Sequence, residues 1–312
     1  MKSEDNSSSL VSVVIPTRNR ANLVCRAVCS ALAQTHNDLE VIVVIDGADP
    51  STEDALKALN ESHLRIVALR ENVGGGEARN IGIREAAGKW IALLDDDDEW
   101  FPTKIQRQLR LIAETPADGT VVAFCRYLYR RPGKPDQIWP IRLPGKEPFS
   151  EFLFDRWSGF QTSTFLSSRE YFLSHPFKRE LQGHQDWDWL LNAATDPSLK
   201  MVVDLEPQSV FNVMPNVTRK SYSFGWRDSL RWGKENRGIM TPRAYSRFIA
   251  YHCARLAAEQ RERKMAFFPL LRECLFKGSP TAKTLLVLLI MNLLSPRVRR
   301  RLHDLIVRLR GI

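Results

Sequence analysis

The chain has 312 residues, of which 44% are hydrophobic and 26% charged, and its formal net charge is +9. This composition excludes a disordered or fibrous chain and suffices for one large domain with a smaller extension. The positive charge favours an anionic partner, such as a phosphorylated substrate, nucleic acid or a membrane surface. The five cysteines form no zinc or disulfide pattern, which is typical of a protein in a reducing cytosol.

Apolar runs in the first half of the chain predict β-strands that alternate with helices. Residues 1–9 are polar and are expected to form a disordered tail without a secretory signal. Apolar residues at helical spacing predict a helix after the first strand, and a capping-box-like start predicts one after the second. Helices are also predicted after the glycine-rich loop that follows the third strand, and over residues 104–113 after the fourth. This alternation indicates an α/β fold with a mostly parallel sheet flanked by helices. The predicted strands cover residues 11–15, 39–45, 63–69, 90–94 and 120–129.

Polar turns follow three of the predicted strands, at residues 16–20, 46–50 and 95–99. In a parallel sheet these turns lie at the same edge, because the carboxyl ends of the strands point the same way. Ligands of open α/β sheets bind at that edge. The sequence therefore predicts a nucleotide site formed by the three turns.

One of these turns is strongly acidic. The sequence L-L-D-D-D-D-E-W-F-P places Asp95, Asp96, Asp97 and Asp98 directly after a buried strand. Adjacent carboxylates repel one another, so they need either solvent or a cation. Hard oxygen ligands favour Mg²⁺ or Mn²⁺, which bridge a few carboxylates to substrate phosphates. The alternative is a solvated acidic loop without a ligand.

A glycine-rich loop over residues 72–80 reads N-V-G-G-G-E-A-R-N and opens the third predicted helix. It has neither the ending of a P-loop nor the spacing of the dinucleotide-binding motif. One interpretation is a flexible turn before a helix. The other is that backbone amides and Arg79 face a diphosphate, because a helix N-terminus attracts anions.

The following part of the chain is predicted to be less regular. Residues 130–145 are rich in proline, glycine and arginine and separate the nucleotide-binding half from the rest. Short helices are predicted over residues 151–157 and 168–174, with a strand around residues 162–165 between them.

Two aspartates, Asp186 and Asp188, lie in the motif Q-D-W-D-W-L-L at the start of a further predicted helix. Residues two apart diverge on a helix, so one of them can face a cleft while the other caps the helix or faces solvent. The alternative for Asp186 is a first-turn carboxylate that the helix dipole stabilises.

Arginine-rich helices interleaved with aromatic residues are predicted after Pro207. Residues 281–294 are typical of an apolar helix and residues 295–310 of a basic amphipathic one. The longest apolar run, residues 285–294, is too short to cross a bilayer. The basic helix is suited either to an anionic membrane surface or to packing on the rest of the protein.

Taken together, the motifs resemble those of an inverting glycosyltransferase of family 2, from about residue 11 to about residue 218. The resemblance implies the Rossmann-like GT-A fold with a C-terminal helical extension. Its implied domain covers residues 10–215, with a nucleotide-binding half (10–129) and an acceptor half (130–215), and the extension covers residues 216–312. The motifs are, in order, V-S-V-V-I-P-T-R-N-R, V-V-I-D-G, N-V-G-G-G-E-A-R-N-I-G, L-L-D-D-D-D-E-W-F-P and Q-D-W-D-W-L-L.

The resemblance also implies roles for individual residues. Asp46 would pair with the nucleotide base, and Asp95 would lie near the ribose. Asp97 would hold Mg²⁺ or Mn²⁺, and Asp186 would be the catalytic base. The remaining nucleotide-binding residues are expected to be Pro16, Thr17, Arg18, Arg79 and Asp96.

Three positions depart from the family pattern. Ile45 and Gln185 stand where the family usually has carboxylates, and Met214 stands where many relatives have a histidine. The Q-x-x-R-W motif of processive synthases is also missing, which favours transfer of a single sugar.

The implied function is metal-dependent transfer of one sugar, with inversion, from a nucleoside-diphosphate sugar to a saccharide or lipid-linked hydroxyl. UDP and dTDP donors are favoured, and the setting is cell-surface polysaccharide synthesis at the cytoplasmic face of a membrane, with attachment through the C-terminal helices. The acidic run argues against nucleic acid as a partner. The alternatives are a sugar nucleotidyltransferase and an inactive relative that binds membranes.

Overall fold

A computed structural model describes residues 9–116, 119–156, 158–214 and 224–294, together with Val298. Its contacts divide the chain into two compact units. Unit 1 comprises Met1–Arg142 and Phe160–Val217, and unit 2 comprises Leu143–Gly159 and Thr218–Ile312. Residues 1–8 of the predicted tail (1–9) lie outside the described residues. So does the predicted basic helix over residues 295–310, apart from Val298.

Unit 1 is built on one mixed sheet, whose strand order is β3-β2-β1-β4-β8-β6-β9-β5, with β7 paired to β6. The long pairings, β1 with β2 and β4, β2 with β3, and β6 with β9, are parallel, whereas the antiparallel pairings are short. The described strands are β1 (Val11–Thr17), β2 (Leu39–Ile45), β3 (Leu64–Ala68), β4 (Trp90–Leu93), β5 (Glu99–Trp100), β6 (Val121–Arg130), β7 (Gln137–Trp139), β8 (Leu166–Ser168) and β9 (Lys200–Asn212).

Helices flank this sheet and form most of unit 2. In unit 1 they are α1 (Ala21–Leu32), α2 (Pro50–Lys57), α3 (Gly75–Glu85), α4 (Lys104–Glu114), α6 (Arg169–Ser174) and α7 (Gln185–Ala193), whereas α5 (Phe149–Leu153) belongs to unit 2. The later helices of unit 2 are α8 (Trp226–Glu235), α9 (Pro242–Arg247), α10 (Ala254–Glu259), α11 (Arg263–Phe276) and α12 (Ala282–Leu293).

The core of unit 1 explains why the predicted strands and helices form. β1 and β2 are almost entirely buried, and β2 is almost entirely apolar, as is typical of strands covered on both faces. The buried face of α1, including Val24 and Val28, packs in the same hydrophobic cluster. Each such side chain contributes about 1.5–3 kcal/mol by leaving water.

The register of the sheet sets the position of the candidate site. Thr17 pairs with Ile45, and the Asp46 amide donates to the Thr17 carbonyl at 2.8 Å. The pairing of β1 with β4 ends at Val14 and Leu93, so Pro16 needs no hydrogen-bond donor towards β4. The carboxyl ends of β1, β2 and β4 therefore meet at one edge, as expected from the alternation of strands and helices.

The strand predicted around residues 162–165 is wrong. Residues Thr162–Thr164 form a 3₁₀ turn, and the Gln161 side chain caps it by accepting from the Ser163 amide at 3.4 Å. The strand comes one step later, as β8, where Leu166 pairs with Ala92 of β4. A short apolar run does not define the ends of a strand, because these depend on which residues pair with the neighbouring strand.

Three strands were not predicted: β5, β7 and β9. The composition after Pro207 suggested helices, yet β9 continues through Pro207 to Asn212. A bulge in the pairing of β6 and β9 lies next to Pro207, which pairs with Arg126. Proline is tolerated there because a bulge interrupts the regular hydrogen bonds.

Unit 2 has its own aromatic core. The Phe248 ring lies 5.2 Å from the rings of both Phe154 and Trp232. A Cβ atom at Gly233 would come within 2.5 Å of the Phe248 ring, so only glycine permits this packing. Among the described residues, no helix has the length and apolarity needed to cross a membrane.

Candidate active site

Asp96 and Asp97, in the middle of the acidic run, lie against the turn after β1. Asp96 accepts hydrogen bonds from the Thr17 hydroxyl and from Arg20 Nη1, both at 2.8 Å. The same Arg20 nitrogen lies 3.5 Å from Asp97 Oδ2. Burial raises the pKa of Asp96 to about 6, and Asp97 adds to the rise, although the Arg20 charge opposes it. One guanidinium thus partly neutralises two adjacent carboxylates.

The backbone of the acidic run is held from two sides. Arg26 Nη2 donates to the Asp97 carbonyl at 2.9 Å, and Asn212 Nδ2 donates to the same carbonyl at 3.2 Å. Both side chains also bind Glu99: Arg26 Nε at 3.2 Å and Asn212 Nδ2 at 3.1 Å from Oε1. The run is therefore fixed by α1 and β9, and the solvated-loop alternative does not describe it.

Ser163 holds the two ends of the run. Its hydroxyl donates to Asp98 Oδ2 at 2.7 Å and accepts from the Asp95 amide at 3.0 Å. Its carbonyl accepts from Trp100 Nε1 at 2.8 Å. The 3₁₀ turn found in place of the predicted strand therefore positions Ser163 against the acidic run.

Asp46, at the end of β2, holds the glycine-rich loop. Its side chain is only 2% exposed and accepts from the amides of Val73, at 2.6 Å, and Gly74, at 3.2 Å. Gly74 precedes the first residue of α3 with φ +88°, which favours glycine. The loop is therefore tied to β2, and the predicted contact of Asp46 with a nucleotide base stays a prediction.

Arg79 of α3 joins three parts of unit 1. Its Nη2 donates to Asp95 Oδ1, and its Nη1 donates to the Gly75 carbonyl at 3.2 Å and to Gln185 Oε1 at 2.8 Å. The Phe177 ring centroid lies 5.6 Å from its guanidinium carbon. Arg79 is thus a buried cation that links the glycine-rich loop, the acidic run and the first turn of α7.

Asp186 follows Gln185 in that first turn, and it accepts from the Trp187 amide at 2.9 Å. Burial raises the pKa of Asp186 to about 6, although this hydrogen bond lowers it. The charge of Asp95 adds to the rise, and the charge of Arg79 opposes it. The structure therefore places Asp186 within electrostatic reach of both Asp95 and Arg79.

Asp188 behaves differently from Asp186. It is 3% exposed, forms an ion pair with Lys178 at 2.8 Å and accepts from Asn192 Nδ2 at 3.3 Å. The two aspartates diverge as the helical spacing predicts. Asp188 is the one with a structural role.

Tyr127 was not predicted from the sequence. It lies on β6 and is 8% exposed, and its pKa is raised well above the ordinary value by burial, then by the charges of Asp98 and Asp186. Arg20, Arg26, Ser163 and Asn212 were missed as well. Arg20 lies in the quoted first motif and could have been found there. The other residues come from distant parts of the chain and carry no local signal.

The remaining predicted nucleotide-binding residues lie at the same edge of the sheet. Pro16 is half-buried, and Arg18 is exposed in the turn after β1. Asn19, next in this turn, has φ 54° and donates its amide to Asp49 Oδ2 at 2.7 Å, which ties the turn to the start of α2. The contacts of Pro16 and Arg18 with a nucleotide stay predictions.

The residues around Asp97 can be tested for a fit to Mg²⁺ or Mn²⁺. Among residues 9–116, 119–156, 158–214 and 224–294, no three or more His, Cys, Asp or Glu side chains come together as a metal cluster. Asp97, which is buried and faces Arg20, supplies hard carboxylate oxygens. Mg²⁺ is commonly bound by one or two carboxylates together with substrate phosphates and water. The donor set fits a metal that arrives with a nucleotide.

Comparison with known proteins agrees with these motifs. The sequence model of the family described as "Glycosyl transferase family 2" matches residues 12–174, just over half of the chain. The chain belongs to this family. The motifs that carried the resemblance, up to the acidic run, lie inside the matched region, whereas Asp186 lies beyond it.

Relatives of this family-2 chain include proteins named for polysaccharide synthesis. The amylovoran biosynthesis glycosyltransferase AmsB of Erwinia amylovora is 26% identical over 253 residues, covering 77% of this chain and 84% of that protein. An uncharacterized glycosyltransferase, RP339, of Rickettsia prowazekii is 38% identical over 120 residues, which is only 37% of its length. The succinoglycan biosynthesis protein ExoO of Rhizobium meliloti is 39% identical over 113 residues, or 32% of that protein.

Solved structures confirm the predicted fold. Residues 1–349 of S. aureus TarS match with a TM-score of 0.56 and 16% identity, covering 85% of this chain and 81% of that one. The mannosyltransferase PcManGT from Pyrobaculum calidifontis, solved with GDP-Man and Mn²⁺, matches with a TM-score of 0.52 and 16% identity, covering 91% and 87%. The family-2 chain therefore has the GT-A fold, as its motifs implied.

Proposed function

We propose that the chain is a metal-dependent inverting glycosyltransferase that moves one sugar from a UDP or dTDP sugar to a hydroxyl of a saccharide or lipid-linked acceptor. The observation that carries this proposal is the position of Arg79. It binds Asp95 on the donor side and Gln185 next to Asp186 on the other side. The groups that the reaction needs, a cation for a departing diphosphate and a carboxylate base, therefore lie together.

Asp186 takes the proton in this proposal. Its pKa of about 6 keeps it ionised at neutral pH and makes it a stronger base than an ordinary aspartate. The acceptor oxygen attacks the anomeric carbon while its proton passes to Asp186. The sugar–phosphate bond breaks on the opposite face, so that the configuration inverts and no covalent sugar–enzyme intermediate forms.

Charge builds on the nucleoside diphosphate as it leaves. Arg79 and the amides at the start of α3 supply fixed positive charge towards it. Asp97 would hold Mg²⁺ or Mn²⁺, and the bound ion would act as a Lewis acid that neutralises the diphosphate. Fixed charges of this kind need no reorganisation during the reaction, which is why they accelerate it.

The substrate class is supported by the relatives and by Asp46. AmsB and ExoO are named for polysaccharide biosynthesis, and a TarS structure contains UDP-GlcNAc. A carboxylate such as Asp46 can accept the N3–H of uracil or thymine. The proposal therefore places the protein in cell-surface polysaccharide synthesis with UDP or dTDP as the carrier.

Thermal shift with UDP, dTDP, GDP and ADP, with and without Mn²⁺, tests the donor site. We expect UDP or dTDP to raise the melting temperature only with Mn²⁺, and only in a protein that has Asp97. Asp97→Ala should lose this shift, whereas Asp54→Ala on the exposed face of α2 should keep it. A chain that no nucleotide stabilises would contradict the proposal. Pyrophosphate release from a sugar 1-phosphate and a nucleoside triphosphate would identify a nucleotidyltransferase instead.

A further inference from the structure

Two helices of unit 2 carry large apolar side chains on the outside. On α11, Phe268 is 73% exposed and Phe276 is 78% exposed. We define the apolar face as the exposed large hydrophobic residues of α11 and α12, which are Met265, Phe268, Leu275, Phe276, Leu286, Leu289 and Leu293. Large side chains of this kind are seldom grouped on a surface without a partner.

The spacing of these residues makes each set a stripe. On α12, Leu286, Leu289 and Leu293 are three and four residues apart, so they share one side of the helix. On α11, Met265 and Phe268 are three residues apart, and Leu275 and Phe276 follow about two turns later on the same side. The opposite sides of both helices are buried, for example at Leu270 and Leu288. Each helix therefore has one side buried in unit 2 and an opposite, exposed side that carries large apolar residues.

The charged residues of the segment that carries the apolar face are mostly basic, although Glu262, directly before it, pairs with Arg227 beside Met265. Residues 263–294 contain a single acid, Glu273. Its carboxylate is occupied inside unit 2, since it accepts from the Tyr245 hydroxyl at 3.0 Å and pairs with Lys234 at 3.1 Å. The basic residues in the same segment are Arg263, Lys264, Arg272, Lys277 and Lys283. The segment therefore presents positive charge together with exposed phenylalanine and leucine.

The exposed apolar side chains and the positive charge together indicate the kind of partner. A second copy bound symmetrically would place the same positive side chains opposite one another. A nucleic acid would match the charge but leave the phenylalanines in water. An anionic lipid bilayer satisfies both, because apolar side chains enter the acyl boundary while lysine and arginine reach the headgroups.

We infer that the apolar face of α11 and α12 docks the protein on an anionic lipid bilayer. The attachment is peripheral, since α11 has 14 residues and α12 has 12, and a span needs about 20. The inference goes beyond sugar transfer and does not depend on it. It narrows the sequence-based expectation of attachment through the C-terminal helices, because it assigns the contact to α11 and α12, upstream of the predicted basic helix over residues 295–310.

Flotation of the full chain with lipid vesicles tests this inference. We expect binding to vesicles of phosphatidylcholine mixed with phosphatidylglycerol, and much weaker binding to phosphatidylcholine alone. The variant Phe268→Ser/Phe276→Ser should bind the anionic vesicles about tenfold or more weakly. The matched control is Leu173→Ser/Leu205→Ser, which removes exposed leucines of unit 1 (41% and 58% exposed) and should bind like wild type.

Charge variants complete the test. Arg272→Gln/Lys277→Gln should weaken binding about tenfold, and added salt should weaken wild-type binding. Because the substituted side chains are exposed, we expect the variants to fold, and a melting curve of each variant checks this. If the double serine variant melts at a lower temperature than wild type, the single variant Phe276→Glu is used in its place. Wild-type protein that stays unbound, or a double phenylalanine variant that binds like wild type, would overturn the inference. So would a dimer in lipid-free solution that the double variant abolishes.

Discussion

In unit 1, the surroundings of the acidic run and of Asp188 differ from those of Asp186. In the acidic run, side chains from other elements bind Asp95, Asp96 and Asp98 closely, and one arginine also faces Asp97. At the start of α7, Asp188 has Lys178 and Asn192. Asp186 accepts a hydrogen bond from the Trp187 amide at 2.9 Å, and its pKa is raised to about 6.

This difference indicates a structural role for Asp188 and a catalytic role for Asp186. Lys178 and Asn192 stabilise the charged form of Asp188, which makes Asp188 a poor base. Asp186 is half-buried, and desolvation raises its pKa in spite of the hydrogen bond from the Trp187 amide. The contrast between Asp186 and Asp188, two residues apart on one helix, can be tested by substitution.

The largest effect is expected for Asp186→Asn. The amide keeps the shape of the side chain but cannot accept the proton, so we expect kcat to fall about a thousandfold. Donor binding, measured by thermal shift with UDP or dTDP and Mn²⁺, should change little. Transfer within a few-fold of wild type would remove Asp186 from the role of base.

A somewhat smaller loss is expected for Asp97→Ala. Without this carboxylate the leaving diphosphate is less well neutralised, so we expect kcat/KM to fall about a hundredfold. Extra Mn²⁺ should recover part of the activity if Asp97 contributes one ligand among several. Titration of activity against Mn²⁺ in wild type and variant measures this, and superimposable titration curves would contradict the assignment.

Arg79→Lys should lower kcat/KM about tenfold. Lysine keeps the charge but cannot bind Gly75, Asp95 and Gln185 together, because its single ammonium lacks the fork of a guanidinium. Arg84→Lys, on the exposed end of α3, is the matched control. Equal activity of the two variants would mean that the link through Arg79 is not needed for catalysis.

Lys178→Met tests the structural aspartate. It leaves Asp188 buried without its cation, and we expect a loss of about 1–3 kcal/mol in the free energy of unfolding with little change in kcat. Urea denaturation and a transfer assay measure the two quantities. A large fall in kcat with unchanged stability would show that Asp188 takes part in the reaction.

The same contrast predicts a stability change for Asp186→Asn. The folded pKa of about 6 lies above the ordinary value of 3.8, so the fold favours the protonated form. The stability that protonation contributes is complete below pH 3.8 and is lost as the pH rises through about 6. The variant should therefore be more stable than wild type at pH 8, by about 1–3 kcal/mol, and equally stable near pH 4. Melting curves at both pH values measure the difference.

The first half of the fold could be predicted because its signals are local. Apolar runs give β1 to β4, and the residues directly after them give Thr17, Asp46 and the acidic run. The later strands could not be predicted in the same way. β5 has two residues, and β9 crosses Pro207 only because a bulge in its pairing with β6 accommodates it. Such strands are defined by their partners rather than by their own sequence.

In the candidate site, too, the residues that lie in local motifs could be predicted, whereas those that support them could not. Asp95, Asp97, Arg79 and Asp186 were chosen from motifs, and the structure brings Asp95, Arg79 and the start of α7 together. The groups that hold them, Ser163 and Asn212 among them, lie far away in the sequence. Whether a serine or asparagine side chain reaches a given carbonyl depends on tertiary packing, and a single sequence carries no signal of it.

The central claim is that Asp186 is the base, and the pH dependence of kcat/KM tests it most directly. We predict an acidic limb with a midpoint near pH 6 in wild type, matching the raised pKa of Asp186, and the loss of that limb in the residual activity of Asp186→Asn. Asp96, whose pKa is also raised to about 6, provides the competing explanation. A limb that persists unchanged in Asp186→Asn would contradict the claim.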